Sequence, residues 1–285
     1  MIQDILPYRL NNTFQNAAPV STDFFFSFQG EKVLLKIRKG GGCALPTFQD
    51  LHRSISEVSD WIVYLFSVDG VSIYLILQQD TVMLDGKCLH YVSIQSLSSV
   101  FPEWAYFAGI TALHLGRWYE GNVYCGKCGD MMEKDSKQRA LFCRKCGNMV
   151  YPAIAPVVMV AVTNGDKLLM TKYADRPLFQ WVLISGFVEI GETLKEAAKR
   201  EVFEETGIRI KDLQYFGSQP WGFSNSIIVG YTAKLDGSDK IHLDTKELAM
   251  AAWHSRTDLP KELTDISITY EMIEALRIGG KGGQA

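Results

Sequence analysis

Apolar runs broken by turn-forming residues mark the first part of the chain. Asp23 to Phe28, Lys32 to Ile37, Trp61 to Phe66 and Val71 to Leu77 gather β-branched, aromatic and leucine side chains and are separated by Gly, Asp and Pro, the pattern of short strands joined by turns. From Ser98 through Tyr119 the period lengthens. Phe101, Ala105, Ala108, Ala112, Leu115 and Trp118 recur at three- and four-residue steps, which predicts an amphipathic helix. Residues 1–120 are thus expected to form a small α+β domain closed by a helix. The glycine run Gly40 to Gly42 falls in a loop, and nothing in this half has the spacing of a catalytic motif, so a scaffold or dimerisation role is expected of it.

Further on the pattern changes again. Pro156 to Val162 reads as a strand, Asn164-Gly165-Asp166 as a turn and Lys167 to Thr171 as the returning strand. A strand at Trp181 to Ile184 leads through Gly186 into a helix from Thr193 to Thr206, ended by Gly207. A last helix is expected over Ile266 to Ile278. The domain boundaries expected are therefore 1–120, a cysteine module at 121–152, a third domain at 153–278 and a disordered Gly-rich tail at 279–285.

Composition narrows the options. With 285 residues, 47% of them hydrophobic, the chain has enough apolar surface for two moderate cores. Lys plus Arg (29) nearly balance Asp plus Glu (32), and the net charge of -3 argues against a strongly basic nucleic-acid surface or a polybasic membrane anchor. A polyanionic substrate would need bound cations. MIQDILPYRL has no charged stretch followed by an apolar one, so no secretory or transit signal is expected and the cytoplasm is the expected compartment. The most apolar stretch, Trp61 to Leu77, is interrupted by Asp69 and Gly70; it reads as two strands and a turn, with no membrane span expected.

Cys125-x-x-Cys128 and Cys143-x-x-Cys146, fourteen residues apart, have the spacing of a four-thiolate zinc ribbon. Glycine follows each pair (Gly129 and Gly147), leaving room for backbone amides to approach the thiolates. Four cysteines close the coordination sphere, so one structural Zn²⁺ per subunit is expected. Cys43 and Cys88 have no partner spacing and read as ordinary residues. A ribbon by itself would also suit a nucleic-acid-binding module, against which the balanced charge weighs.

On the helix from Thr193, Glu201, Glu204 and Glu205 stand at i, i+3 and i+4, so three carboxylates share one turn. The lysines of that helix, Lys195 and Lys199, lie a turn earlier, and only Arg200 is adjacent. Hard cations such as Mg²⁺ or Mn²⁺ relieve such repulsion and share coordination with substrate phosphates. Leu194, Ala198 and Val202 form the buried stripe that would fix these acids at the end of the preceding strand.

Gly186-x5-Glu192-x7-Arg200-Glu201-Val202-x-Glu204-Glu205-x-Gly207-Ile208 matches every fixed position of the Nudix box, and on it the chain resembles the Nudix hydrolases. That resemblance implies an α/β/α-sandwich domain with a mixed sheet, hydrolysing nucleoside diphosphates linked to another moiety. It implies that Glu201, Glu204 and Glu205 bind catalytic Mg²⁺ or Mn²⁺, that Arg200 orients Glu201, and that Gly186, Glu192 and Gly207 shape the motif.

A zinc ribbon before such a domain, preceded by an extra α+β domain, is similar to the NADH pyrophosphatase subfamily. Ser218-Gln219-Pro220-Trp221-Gly222-Phe223-Ser224-Asn225-Ser226 resembles that subfamily's signature Ser-Gln-Pro-Trp-Pro-Phe-Pro-x-Ser, with Gly222 and Ser224 in place of two prolines. The resemblance implies substrate contacts from Gln219 through Ser226 and from Ser185. It implies ring stacking by Tyr151 and Phe187, and a further metal ligand in Glu247. Met250 stands where relatives carry another glutamate, and Gln138 where some carry a substrate-contacting one; a neutral amide there hydrogen-bonds but holds no cation. The implied enzyme is a homodimer that splits NADH or NAD⁺ into nicotinamide mononucleotide and AMP, with NAD-capped RNA as a larger substrate of the same bond. Another nucleoside diphosphate derivative, such as ADP-ribose or a diadenosine polyphosphate, and a non-catalytic nucleotide sensor are the competing readings.

Overall fold

The computed structural model describes residues 1–38, 42–51, 54–77, 88–100, 102–174, 181–259 and 266–279. Of the tail expected over 279–285, residues 280–285 lie outside the described residues, as do the glycines at 40 and 41. The chain divides into two units: one of Gln3–Ala153 with Gly222–Asn225, the other of Met1–Ile2, Ile154–Trp221 and Ser226–Ala285.

In the unit that holds Gln3–Ala153, the strands are β1 (Leu10–Asn11), β2 (Phe24–Phe26), β3 (Phe28–Gln29), β4 (Lys32–Ile37), β5 (Cys43–Ala44), β6 (Ile62–Val68), β7 (Val71–Ile76) and β8 (Leu89–Ser93). They form two small sheets, one ordered β1-β6-β7-β2 and the other β3-β4-β5 with β8 on the far side of β4. Every residue of β6 is buried, which explains its unbroken apolar run. Phe25, Leu34, Phe48, Tyr64 and Tyr74 make the core between them. Helices α1 (Ile55–Val58), α2 (Leu97–Val100) and α3 (Glu103–Gly121) complete it. The single helix expected from Ser98 is in fact two, with Pro102 as the N-cap of α3. Proline has no N–H to continue a helix's backbone bonding, so the periodic pattern runs through a boundary it does not register.

The cysteine module belongs to the same unit and carries β9 (Glu133–Lys134), β10 (Leu141–Phe142) and β11 (Met149–Val150), a three-stranded antiparallel sheet. Lys134 Nζ donates to the carbonyls of Asp60 (2.8 Å) and Ile62 (3.2 Å), and Arg139 donates to that of Leu65, so the module is tied to β6.

The other unit is built on β12 (Ala155–Asn164), β13 (Lys167–Tyr173), β14 (Ile184–Phe187), α4 (Leu194–Thr206), β15 (Ile210–Trp221), β16 (Ser226–Leu235), β17 (Leu248–Ser255) and α5 (Ile268–Arg277). The sheet runs β15-β16-β12-β13-β17 with β14 also on β12; β12 and β16 are parallel and the other pairs antiparallel. Side chains of β12 alternate between two cores. Val158, Val160 and Val162 pack with Ala197, Ala198 and Val202 of α4, whereas Val157, Met159 and Ala161 pack with Ile268, Met272 and Ile273 of α5. A helix on each face of a mixed sheet is the expected sandwich, and burial on both faces is why β12 reads as a continuous apolar run. Gly165 at φ 61° makes the tight β12–β13 turn. The strand expected at Trp181–Ile184 starts later: Val182 makes only a bridge to Thr171, and the ladder with β12 begins at Ile184. Among the described residues, no helix is long and apolar enough to cross a membrane.

Candidate active site and metal centres

Beyond β14 the chain turns through Gly191 at φ 97°, and Glu189 N–H donates to Glu192 Oε2 (3.1 Å). Thr193 then caps α4: its hydroxyl accepts from Glu196 N, and the Glu196 carboxylate accepts from Thr193 N (2.8 Å). This reciprocal capping box contributes about 1 kcal/mol and fixes where the helix begins. Gly207, at φ 69°, ends it. The helix's register is thereby set at both ends.

Arg200 is the hub of the acidic turn. Its guanidinium forks onto Glu192, with Nε donating to Oε1 at 2.6 Å and Nη2 to Oε2 at 2.9 Å. Nη1 donates to Glu201 Oε1 (2.7 Å) and Glu204 Oε2 (3.0 Å), and Nη2 also reaches the Phe187 carbonyl (3.0 Å). A planar fork serves these acceptors together, as a lysine could not. The bond to Glu192 holds that carboxyl below the usual carboxylate range, while burial pushes Glu201 up against the pull of Arg200. Gly186 completes the cradle. A Cβ placed there would lie 2.0–2.2 Å from the Glu201 carboxylate atoms, so the strand passes where only glycine leaves room.

Glu205 is the anomaly. Its residue is 2% exposed, and Oε2 is buried with no hydrogen-bond partner among the described residues. Burial first, then the charges of Glu201, Glu247 and Asp244, push its carboxyl up to about 8. A buried carboxylate with a spare lone pair, surrounded by three other acids, lacks a positive partner, and a hard divalent cation has the matching chemistry. Glu204, by contrast, has a largely exposed side chain. The acidic turn is not gathered as tightly as the cysteines: among the described residues, only the four thiols bring three or more ligand atoms within 4.8 Å of one another.

Asp244 was not expected from the motif. Its N–H donates to the Glu205 carbonyl (3.0 Å), and its carbonyl accepts from Glu247 N (3.3 Å), which places the Asp244-Thr-Lys-Glu247 segment beside the C-terminal end of α4. An Asp-x-x-Glu pair ahead of a strand was the available signal. Met250, on β17 opposite Lys172, is 49% exposed.

In the ribbon, Cys125 and Cys146 sulfurs are 3.6 Å apart and those of Cys128 and Cys143 3.4 Å. Ligands about 2.3 Å from a tetrahedral ion lie about 3.8 Å from each other, so the four thiols fit one ion with slight expansion. Gly129 (φ 76°) and Gly147 (φ 71°) take the left-handed turn after each pair, and their N–H groups donate to Cys125 O and Cys143 O. The Lys127 amide leads in holding the Cys125 thiol down to about 6, toward the thiolate a metal needs.

The remaining expected residues divide between the units. Ser185 Oγ lies 2.9 Å from Tyr173 Oη, and Phe187, 54% exposed, stands with the acidic turn. Tyr151 and Gln138, both exposed, meet at one ribbon side chain: Tyr151 Oη donates to Met149 Sδ (2.9 Å) and Gln138 Nε2 to the same sulfur (3.4 Å). Gln219, one of the expected substrate contacts, is fully buried, its amide N–H donating to Ile266 O and its oxygen accepting from Ile268 N, both at 2.7 Å, so its amide is engaged at the start of α5. Pro220 is exposed, Trp221 half-buried and Ser226 buried in the sheet unit. Gly222, Phe223, Ser224 and Asn225 group instead with the unit that holds α3.

The family model described as NUDIX domain matches residues 153–276. The chain carries a NUDIX domain. Its acidic turn, Arg200 hub and Gly186 cradle all lie inside the matched residues. The chain is 40% identical over 148 residues to the NAD-capped RNA hydrolase NudC of Shigella flexneri and 39% identical to that of Escherichia coli strain K12. These stretches cover 52% of this chain and 57% of each relative, so the likeness spans little more than half the length of either protein. A solved NUDIX hydrolase from Nitrosomonas europaea superposes with a TM-score of 0.49 at 20% identity, covering 56% of this chain and 96% of that one.

Proposed function

We propose that the NUDIX domain hydrolyses the diphosphate bond of NADH and NAD⁺ to nicotinamide mononucleotide and AMP, and removes NAD caps from RNA 5′ ends, with Mg²⁺ or Mn²⁺. The observation that carries the reading is the buried, unpartnered oxygen of Glu205 within an acidic turn organised by Arg200. The dinucleotide substrate rests on the likeness to NAD-capped RNA hydrolases. Glu201, Glu204, Glu205 and Glu247 are the residues that would hold the divalent ions. Bound there, such ions polarise the diphosphate and acidify a water.

The chain's own residues supply position and charge. Arg200 keeps Glu201 and Glu204 from separating and, through the Phe187 carbonyl, ties the acidic turn to the end of β14. Glu205, pushed up to about 8, retains its proton near neutrality and would have to yield it for its carboxylate to hold a cation. Hydrolysis places the water's hydroxyl on one phosphorus and its proton on the departing phosphate as the bridging P–O bond breaks. Tyr151 and Phe187 offer exposed rings for a base or nicotinamide.

The same reading gives the ribbon one structural Zn²⁺, the protein a homodimeric state and the cytoplasm as its compartment, where six cysteines outside any disulfide suit a reducing environment. Turnover of NADH, NAD⁺, ADP-ribose and NAD-capped RNA, each with Mg²⁺, Mn²⁺ or chelator, tests it. NADH, NAD⁺ and capped RNA should be cleaved only with divalent metal; cleavage indifferent to chelator, or confined to ADP-ribose, would refute it.

A further inference from the structure

The tip of the β15–β16 hairpin carries the two departures from the NADH pyrophosphatase signature, Gly222 and Ser224, and its neighbours explain the first. A Cβ on Gly222 would lie 2.4 Å from the backbone oxygen of Ile110 in α3 and 2.9 Å from Ile110 Cγ2. An obstacle made of helix backbone is relieved by no rotamer, so any side chain here, proline included, displaces the tip. About two turns along α3, Arg117 Nη1 donates to the Phe223 carbonyl at 2.7 Å, with the Gly222 carbonyl at 3.5 Å. Nη2 of the same guanidinium pairs with Glu31 at 3.3 Å, which aims it. The Phe223 ring packs against Tyr106, centroids 6.3 Å apart. Arg117, Tyr106 and the Ile110 carbonyl thus hold the two residues at the tip through the backbone and one ring.

We propose that α3 sets the conformation of the substrate loop in this protein, with Arg117 as the positioning residue and Gly222 as the close-approach site that takes over from proline. Proline would stiffen the loop from within; here the stiffness comes from a charge-assisted bond to a carbonyl and from contact with helix backbone. This assigns the α+β domain a part in substrate specificity. It rests on the reading that the loop serves a dinucleotide, and its first readout is independent of that reading.

Amide hydrogen exchange over residues 223–226, measured without substrate, should quicken in Arg117→Ala and in Gly222→Pro while the rest of the chain keeps its protection. Arg117→Lys, which can still donate to one carbonyl, should recover most of the protection. With NAD⁺ and Mg²⁺, the first two variants should raise KM about tenfold with kcat within about twofold, the mark of a misplaced binding loop. Should Arg117→Ala fail to fold, Glu31→Gln, which removes the aiming charge, should shift exchange and KM in the same direction by a smaller factor. Unchanged exchange in Arg117→Ala and Gly222→Pro overturns the proposal whatever the substrate. Equally, a wild-type protein that cleaves NAD⁺ alongside variants of identical KM overturns it. Absence of NAD⁺ cleavage by the wild type, with the exchange changes present, overturns only the dinucleotide reading.

Discussion

Glu205→Gln should make the metal-free protein more stable at alkaline pH while sharply lowering turnover. The carboxyl has been moved from the ordinary range, near 4.5, to about 8. Between those values the unfolded chain has lost this proton and the folded chain keeps it, so folding is progressively disfavoured as pH rises and the penalty is complete only above about 8. At about 1.4 kcal/mol for each pH unit of displacement, the penalty approaches roughly 4–5 kcal/mol, and entry of water or counterions brings it toward roughly 2. Glutamine has nearly the same shape and no charge. In chelator, denaturant titrations at about pH 9 should therefore show the variant more stable by roughly 2–5 kcal/mol, a difference that fades toward pH 5. Saturating Mg²⁺ should reverse the order, because only the wild type gains from the cation. Turnover should fall about a hundredfold or more, the scale of a lost transition-state electrostatic contact. Parallel pH–stability curves for the two proteins in chelator would show that Glu205 carries no buried charge and that its assigned role is wrong.

Gly186→Ala should displace the Glu201 carboxylate from its place beside the strand, costing about 1–3 kcal/mol in a melt and at least about tenfold in kcat. Wild-type kcat in a folded Gly186→Ala protein would mean that Glu201 is not held there. Arg200→Lys should lose the fork on Glu192 and most of kcat, whereas KM changes little; retained turnover would show that the hub is not needed. Cys143→Ser, at a fully buried thiol, should lower bound zinc from one per chain toward zero by elemental analysis, with the ribbon unfolding. A folded ribbon with no zinc in either protein would count against a metal there.

How much of this was legible depended on the range over which each feature is encoded. The cysteine pairs and the acidic turn are local: spacing alone brought the four thiols together and put the three glutamates on one helical turn, although only the thiols, among the described residues, converge within 4.8 Å. The long β15–β16 hairpin left no such trace. Buried and exposed positions along β15 follow no period of two, since its ladder carries two register shifts and the Gln219 side chain bonds at the start of α5. Gln219 illustrates the cost. Its motif position suggested a substrate contact, but the backbone groups at the start of α5 that it satisfies lie far along the chain and are invisible to a motif. Gly222 is the converse case, where a departure from the family signature has its cause in a carbonyl of α3.

The acids of α4 owe their unusual state to the helix's apolar stripe. Ala197, Ala198 and Val202 must face β12 and β14, and that requirement fixes the rotation of the helix about its axis. Glu201 precedes Val202, and Glu205 lies three residues after it, so both sit on the flanks of the buried stripe and are drawn out of water with it. Glu204, farther around, stays exposed. Packing energy from the core is thus what holds two carboxylates in a low-dielectric setting they would otherwise avoid, and the glycine at 186 and the fork of Arg200 keep Glu201 from escaping to solvent. A polar helix with the same glutamates but no stripe would turn all of them outward. It would show neither the raised Glu205 carboxyl nor the unfilled oxygen that calls for a cation.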